Sequence, residues 1–247
     1  MLVYFFVIQA ERTDTGLDDS LVAYYPLNEN ANDESGNGNH GIISGAVLAT
    51  DRFAHQNSAY VFDGIDDYIE LPNSMDIIDT EFTVSAWIKP DDYGVQSPTS
   101  QSCHRFIFSY RYRSHAGGDP TNSGLRFGLN KANGCGGNTK ISMGFFGPDY
   151  QGQGIGADYS GKDWFLYTVT KAQDKLVLYI NGEEVMQKVI SPSAVFENPQ
   201  HVYVTIGAHR ISAGEVLFPF AGAIDEVRIY NRALSNVEVQ MLYQLDW

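Results

Sequence analysis

The chain predicts an all-β sandwich of two antiparallel sheets carrying one short C-terminal helix. Three observations point there. Short alternating apolar and polar stretches recur between clusters of Gly, Asn, Asp and Pro, which is how sheet proteins punctuate their strands. No heptad, long helical period or repeat of roughly 20 to 50 residues interrupts them. Of the 247 residues, 15 are Tyr and 14 are Phe, side chains that suit a pleated, half-buried surface. The length fits one large sandwich, and a hydrophobic share of 43% supplies its core. We therefore assign residues 1–20 to an N-terminal segment and linker, and 21–247 to one domain.

The apolar run from Met1 to Ala10 has two readings. It is the tail of a secretory signal lacking its basic start, or an edge strand that pairs with a neighbouring subunit. It is too short to span a bilayer. Strands are expected next at Tyr68 to Leu71 and at Phe82 to Ile88, where Phe82, Val84, Ala86 and Ile88 line one face and Thr83, Ser85 and Trp87 the other. From about Gln96 to Gly161 the chain is rich in Gly, Ser, Asn and Tyr. Strands at Arg105 to Tyr112, Leu125 to Leu129 and Ile141 to Phe146 are joined there by long loops, a setting that often carries function.

Trp164 to Thr170 and Leu176 to Ile180 should form a hairpin. Asn181-Gly182 then turns tightly into Glu183 to Met186, because both residues tolerate positive φ. Near the end, Ser235-Asn-Val-Glu238 has the spacing of a capping box, so a helix starts there and buries Val237, Met241 and Leu242 or Leu245.

Charge excludes one class of partner. With 30 acidic and 16 basic residues the formal charge is −14, which repels nucleic acid. The carboxylate excess suits a hard cation bound through oxygen, and equally serves solubility. The two cysteines, Cys103 and Cys135, both lie in loop-like sequence. A disulfide between them would restrict the unfolded chain by roughly 3 to 4 kcal/mol; the alternative is two free thiols.

Asp225 is the most informative carboxylate. Strict alternation through Ala221 to Tyr230 puts it on the core face with Val227 and Ile229, where a charge needs amides, an Arg or a cation. The turn from Asn30 to Gly41 gathers side-chain oxygens at Asn30, Asp33 and Asn39. It follows the front half of a calcium-loop spacing but has Ser44 where that loop requires Glu, so it is either an oxygen-rich turn beside a metal or an Asx-turn held by its own backbone. Asp63, Asp66 and Asp67 form a second acidic turn.

Taken in order, Leu21 to Asn28, Asp33 to Gly41, Phe62 to Tyr68, Phe82 to Ile88, Leu178 to Gly182 and Gly222 to Ser235 resemble the laminin G-like domains of the concanavalin A-like superfamily. The resemblance implies a jelly roll that binds sugar or protein outside the cell. It also implies one structural calcium between the early turn and the last strand, carried over onto Asp33 and Asp225, with Asn30, Asn39 and Asp63 as further candidates.

The middle of the chain departs from the plain family pattern, and ligand recognition is expected there. Tyr110, Arg111, Tyr112, Arg113 and His115 interleave aromatics with cations. Tyr150, Tyr159, Trp164, His209 and Arg210 are placed on the same surface; the alternative is that all of them are half-buried strand residues.

Catalytic signatures are missing from the sequence. No strand carries a pair of alternating carboxylates such as a glycoside hydrolase uses. Asp225 and Glu226 are neighbours, and alternation sends them to opposite faces. No nucleophile elbow, phosphate loop or zinc spacing appears. The expected function is a secreted or cell-surface, non-catalytic domain that binds carbohydrate or glycoprotein. The alternatives are an assembly subunit docking through its N-terminal strand and a glycoside hydrolase-like enzyme.

Overall fold

A computed structural model describes residues 16–75, 81–91, 103–111, 124–131, 139–146, 154–159, 161–190, 203–212 and 215–245. These form the expected sandwich of two antiparallel sheets with one helix. The first nine strands are β1 (Leu21–Tyr25), β2 (Ile42–Ser44), β3 (Val47–Ala49), β4 (Ala59–Asp63), β5 (Tyr68–Leu71), β6 (Phe82–Pro90), β7 (Arg105–Arg111), β8 (Gly124–Lys131) and β9 (Thr139–Phe146). Then come β10 (Gly154–Asp158), β11 (Phe165–Ala172), β12 (Lys175–Ile180), β13 (Glu183–Val189), β14 (Tyr203–Ile206), β15 (His209–Ser212), β16 (Glu215–Leu217), β17 (Ala221–Tyr230) and α1 (Asn236–Gln244).

One sheet has eight strands in the order β13-β12-β11-β6-β17-β4-β3, with β1 also paired to β17. The other has seven, in the order β10-β9-β8-β7-β14-β5-β2. The main core lies between them. Phe82, Val84, Ala86 and Ile88 face it from β6, and Tyr110, Leu125, Phe127, Leu129, Ile141 and Met143 face it from the seven-stranded sheet. The rings of Phe127 and Tyr167 stack across the two sheets at 4.1 Å. Burying side chains of this size contributes roughly 1.5 to 3 kcal/mol each.

The turn after β12 forms as its sequence demands. Asn181 and Gly182 have φ of 52° and 79°, and Ile180 pairs with Glu183 across them.

A second, smaller core covers the outer face of the eight-stranded sheet. Trp87, Leu166, Val177, Tyr179 and Tyr230 meet Leu234, Val239 and Leu242 there. Ser235 caps α1 with both reciprocal bonds of a capping box. One detail of the helix departs from expectation. Val237 is 59% exposed, and Val239 is buried together with Leu242, because the buried stripe runs 239, 242 with Met241 and Leu245 at its margin.

Candidate functional site

The site begins with a fault in β17. Against β6, Ile224 pairs with Ile88 and Asp225 with Trp87, but the next registered partners are Arg228 with Ser85. One extra residue is accommodated at Glu226, whose φ of 53° bends the strand. Val227 and Ile229 remain in the main core, whereas Asp225 shares the opposite face with Trp87. This corrects the expectation that Asp225 lies in phase with Val227 and Ile229. The bulge also cancels the argument that sent Asp225 and Glu226 to opposite faces, since both line one cavity of about 200 Å³ with Asn28, Asp51, Arg52, His55 and Ser58.

The turn after β3 supplies the rest of the wall. Asp51 folds it by accepting hydrogen bonds from the amides of Phe53 and His55, each at 2.8 Å, while its second oxygen meets His55 Nδ1 at 2.9 Å. That turn directs Arg52 inward. Its Nη1 stands 3.2 Å from Asp225 Oδ2, and its guanidinium lies 4.4 Å from the Phe53 ring centroid and 4.5 Å from that of Trp87. Nη2 reaches the carbonyl of Leu245 at 3.5 Å.

Glu226 is held from two sides. Tyr24 donates its hydroxyl to the carboxylate at 2.9 Å, and Arg228 Nη2 donates at 2.6 Å. Asp225 is less well served, since its Oδ1 is buried and meets no hydrogen-bond partner among the described residues. Burial, with the Glu226 carboxylate beside it, pushes the Asp225 carboxyl up to about 8; Arg52 and the Glu226 amide counter this only in part.

Of the expected metal ligands, none of Asn30, Asp33, Asn39 and Asp63 lines the cavity that holds Asp225. Asp33 accepts the amides of Tyr24 and Ser35 on one oxygen and that of Asn39 on the other, all at 2.9 Å. Burial alone would raise its pKa, but these amides hold the carboxyl below the usual carboxylate range. This is the Asx-type reading of the early turn. Asn30 is exposed and accepts the amide of Asn32, and Asn39 donates its side-chain amide to the Val22 carbonyl. Asp63 lies with Asp66 and Asp67, their ligand atoms all within 4.8 Å of one another. Asp63 Oδ1 caps its own turn at the Ile65 amide, and Asp67 receives the Asp63 amide. The oxygens that surround Asp225 come instead from Asn28, Asp51, Ser58 and Glu226.

The expected ligand residues also divide. Tyr110 faces the main core. Tyr159 packs against Phe165 at 4.3 Å, and Trp164 borders the second core. Tyr112, Arg113, His115 and Tyr150 lie outside the described residues. Cys103 is buried and no described cysteine is free; Cys135 also lies outside the described residues.

Arg111, His209 and Arg210 lie on one face, the outer face of the seven-stranded sheet, where Arg111 and His209 are buried and Arg210 is partly exposed. Register places Glu70, Thr205, Ser109 and Arg126 in one row across β5, β14, β7 and β8, and Tyr203 beside Arg111 in the next. His209 Nδ1 meets Ser109 Oγ at 2.6 Å. Arg210 pairs with Glu70 and lies over the rings of Tyr203 and Tyr68, at 4.9 and 5.6 Å. Further along, Asn130 donates to Ser142 at 3.2 Å.

The residues that escaped sequence reasoning are Asn28, Asp51, Arg52, His55, Ser58 and Glu226. A signal for the bulge was present. The apolar positions Ile224, Val227 and Ile229 are spaced by three and then two, a phase slip that an inserted residue explains.

Comparison with known proteins agrees with this architecture. The family model for the concanavalin A-like lectin/glucanases superfamily matches residues 63–240. No curated protein matches the chain. Among solved structures, domain 4 of AbnA, an extracellular arabinanase of Geobacillus stearothermophilus in complex with arabinotriose, superposes with a TM-score of 0.64 at 22% identity. The match covers 91% of this chain and 98% of that one. The receptor binding domain of botulinum neurotoxin D matches with a TM-score of 0.63 at 19% identity, over 92% of this chain and 53% of the toxin domain. The binding domain of Paraclostridial Mosquitocidal Protein 1 gives 0.60 at 19%, over 92% and 52%. The chain thus spans about half the length of those toxin domains, and at these identities the likeness is one of fold.

Proposed function

The chain belongs to the concanavalin A-like lectin/glucanases superfamily, and from that premise we propose a non-catalytic module that binds glycans outside the cell, with calcium as a structural ion and a Cys103–Cys135 disulfide. The observation that carries the glycan reading is the polar outer face of the seven-stranded sheet. Ser109, Thr205 and Arg126 are buried within its row, and what it presents is Glu70, Arg210 and the rings of Tyr203 and Tyr68 over which Arg210 lies, all partly exposed. Hydroxyl-rich ligands need such a combination of fixed donors and acceptors with aromatic rings to stack upon. The arabinotriose complex of the AbnA domain supports the same reading by likeness of fold.

Calcium takes oxygen ligands, and the cavity at Asp225 offers them. Its unpartnered Oδ1 is the donor that fits an ion best, and Asn28 and Ser58 are the cavity neighbours whose side-chain oxygens could complete the set. When bound, the ion would neutralise a carboxylate that burial otherwise disfavours. A catalytic reading is less well supported. Glu226 is committed to Tyr24 and Arg228, and Asp51 to its own turn and His55, so neither is placed to activate water beside Asp225.

A glycan array probed in calcium and again in chelator tests the proposal. Calcium-dependent binding to a defined sugar class is the expected result. A folded sample that binds no glycan in either condition would overturn it.

A second reading, an assembly subunit, is favoured by the sheet edges. Ile42 and Ile43 on β2 and Val47 and Leu48 on β3 are 68%, 37%, 60% and 40% exposed on the last strand of each sheet, and open edges invite pairing. If assembly runs through them, Ile42→Lys with Val47→Lys converts an oligomer to monomer in sedimentation; an unchanged particle rejects this reading.

A further inference from the structure

The cavity that offers oxygen to a cation already contains a cation belonging to the chain. Arg52 reaches it from the turn after β3, with its side chain 7% exposed, and binds Asp225 through Oδ2. The other guanidinium nearby, that of Arg228, is engaged with Glu226. Asp225 therefore has one oxygen on Arg52 and one buried oxygen without a hydrogen-bond partner among the described residues.

A calcium ion sits about 2.3 to 2.6 Å from its ligand oxygens. Placed on Asp225 Oδ1, it would lie within a few ångströms of the guanidinium. Two cations so close in a water-poor site repel strongly. Arg52 is held where it is: its buried guanidinium lies over the rings of Phe53 and Trp87 and reaches the Leu245 carbonyl beyond α1. Trp87 in turn stacks on Tyr243 of α1 at 5.7 Å.

Resting on the calcium reading above, we infer that Arg52 is a tethered competitor for the metal: a divalent ion engages Asp225 only by displacing the Arg52 guanidinium from Asp225 and from the face of Trp87. Arg52 thus sets the calcium affinity of the domain. Ion binding and the Arg52 contacts to Trp87 and to the carbonyl after α1 exclude one another.

The test is calcium titration of the wild type, Arg52→Gln and Asp225→Asn by calorimetry, with tryptophan emission followed in parallel and Trp87→Phe used to assign the signal. Arg52→Gln should bind calcium about tenfold or more tightly than the wild type, and Asp225→Asn should not bind. Wild-type emission should change on saturation through Trp87, and Arg52→Gln should lose most of that change. Equal or weaker affinity in Arg52→Gln overturns the inference while leaving calcium binding intact. Absence of binding in both proteins overturns the inference and the calcium reading together. If Arg52→Gln does not fold, the wild type still decides: calcium binding that leaves Trp87 emission unchanged refutes displacement, and a Trp87-dependent change supports it.

Discussion

Arg52 and Asp225 are 173 residues apart in the chain and meet at 3.2 Å with both side chains almost wholly buried. The pair ties the turn after β3 to the strand bulge of β17. A buried ion pair of this kind gains little net stability, because desolvation of both partners offsets their attraction. Its effect is to fix geometry. The bulge at Glu226 turns Asp225 out of the main core, and Arg52 gives the displaced carboxylate a partner while leaving one of its oxygens open to the cavity.

Asp225 should make the metal-free protein less stable as pH rises. Its carboxyl is pushed up to about 8 from an ordinary value of 3.8. The folded state therefore favours the protonated form. Stability from this group is complete below pH 4 and is lost progressively as pH rises toward 8. Asp225→Asn keeps the shape without the charge, so in chelator at pH 8 it should be more stable than the wild type, by an amount of the order of a few kcal/mol at most. Urea denaturation from pH 4 to 8 checks this, and parallel pH profiles for the two proteins would place Asp225 in contact with water.

Asp33 should behave in the opposite way. Its carboxylate holds three amides, those of Tyr24, Ser35 and Asn39, so Asp33→Ala leaves three donors to find water in a part-buried turn. The expected cost is about 2 to 4 kcal/mol. The calcium response should survive, since Asp33 has no oxygen to spare. Thermal melts of Asp33→Ala with and without calcium separate the two roles, and loss of the calcium-induced shift would return Asp33 to the ligand set.

The contrast between these two aspartates shows what the sequence could and could not convey. Alternation located β6 and its two faces, Asn181-Gly182 located a turn, and Ser235 with Glu238 located the helix start, because each depends on residues close together in the chain. The residues around Asp33 announce an oxygen-rich turn but leave two roles open, and its three amide bonds follow the Asx-type one. Asp225 was assigned to the wrong face because period-two reasoning fails at an inserted residue, although the spacing of Ile224, Val227 and Ile229 carried a trace of it. Arg52 could not be found at all. Its role depends on pairing across 173 residues, which no local pattern encodes.

Tyr110 of β7 and Tyr203 of β14 should separate sharply on mutation. Tyr110 faces the main core and is 3% exposed, so Tyr110→Ala should cost about 3 to 5 kcal/mol and affect ligand binding only through the loss of folded protein. Tyr203→Ala removes a ring that lies under Arg210 at the outer face. It should leave the melting temperature within a few degrees of the wild type while weakening glycan binding about tenfold, as loss of a stacking contact does. Glycan affinity and melting temperature measured on the same preparations decide this, and a Tyr203→Ala protein with undiminished affinity would move the binding surface elsewhere.

The capping box should give the domain a second pH signature, at the acid end. Glu238 accepts from the Ser235 amide at 2.7 Å and meets Arg232 at 2.7 Å, and the Arg232 contact is the main reason its carboxyl is held down to about 2. A depressed carboxyl stabilises the fold above its unfolded pKa of 4.5 and loses that effect as pH falls through about 2. Arg232 and Glu238 are 25% and 20% exposed, so solvent screening reduces the contribution to about 1 kcal/mol at neutral pH. Glu238→Gln should therefore be less stable than the wild type at pH 6, and the gap should close as pH falls from 4.5 toward 2. Ser235→Ala, which removes the reciprocal bond to the Glu238 amide, should cost about 1 kcal/mol at every pH in that range. Chemical denaturation of the three proteins at several acidic pH values tests both effects. A gap between wild type and Glu238→Gln that stays constant with pH would show that Glu238 acts through packing and hydrogen bonding, with its charge contributing nothing.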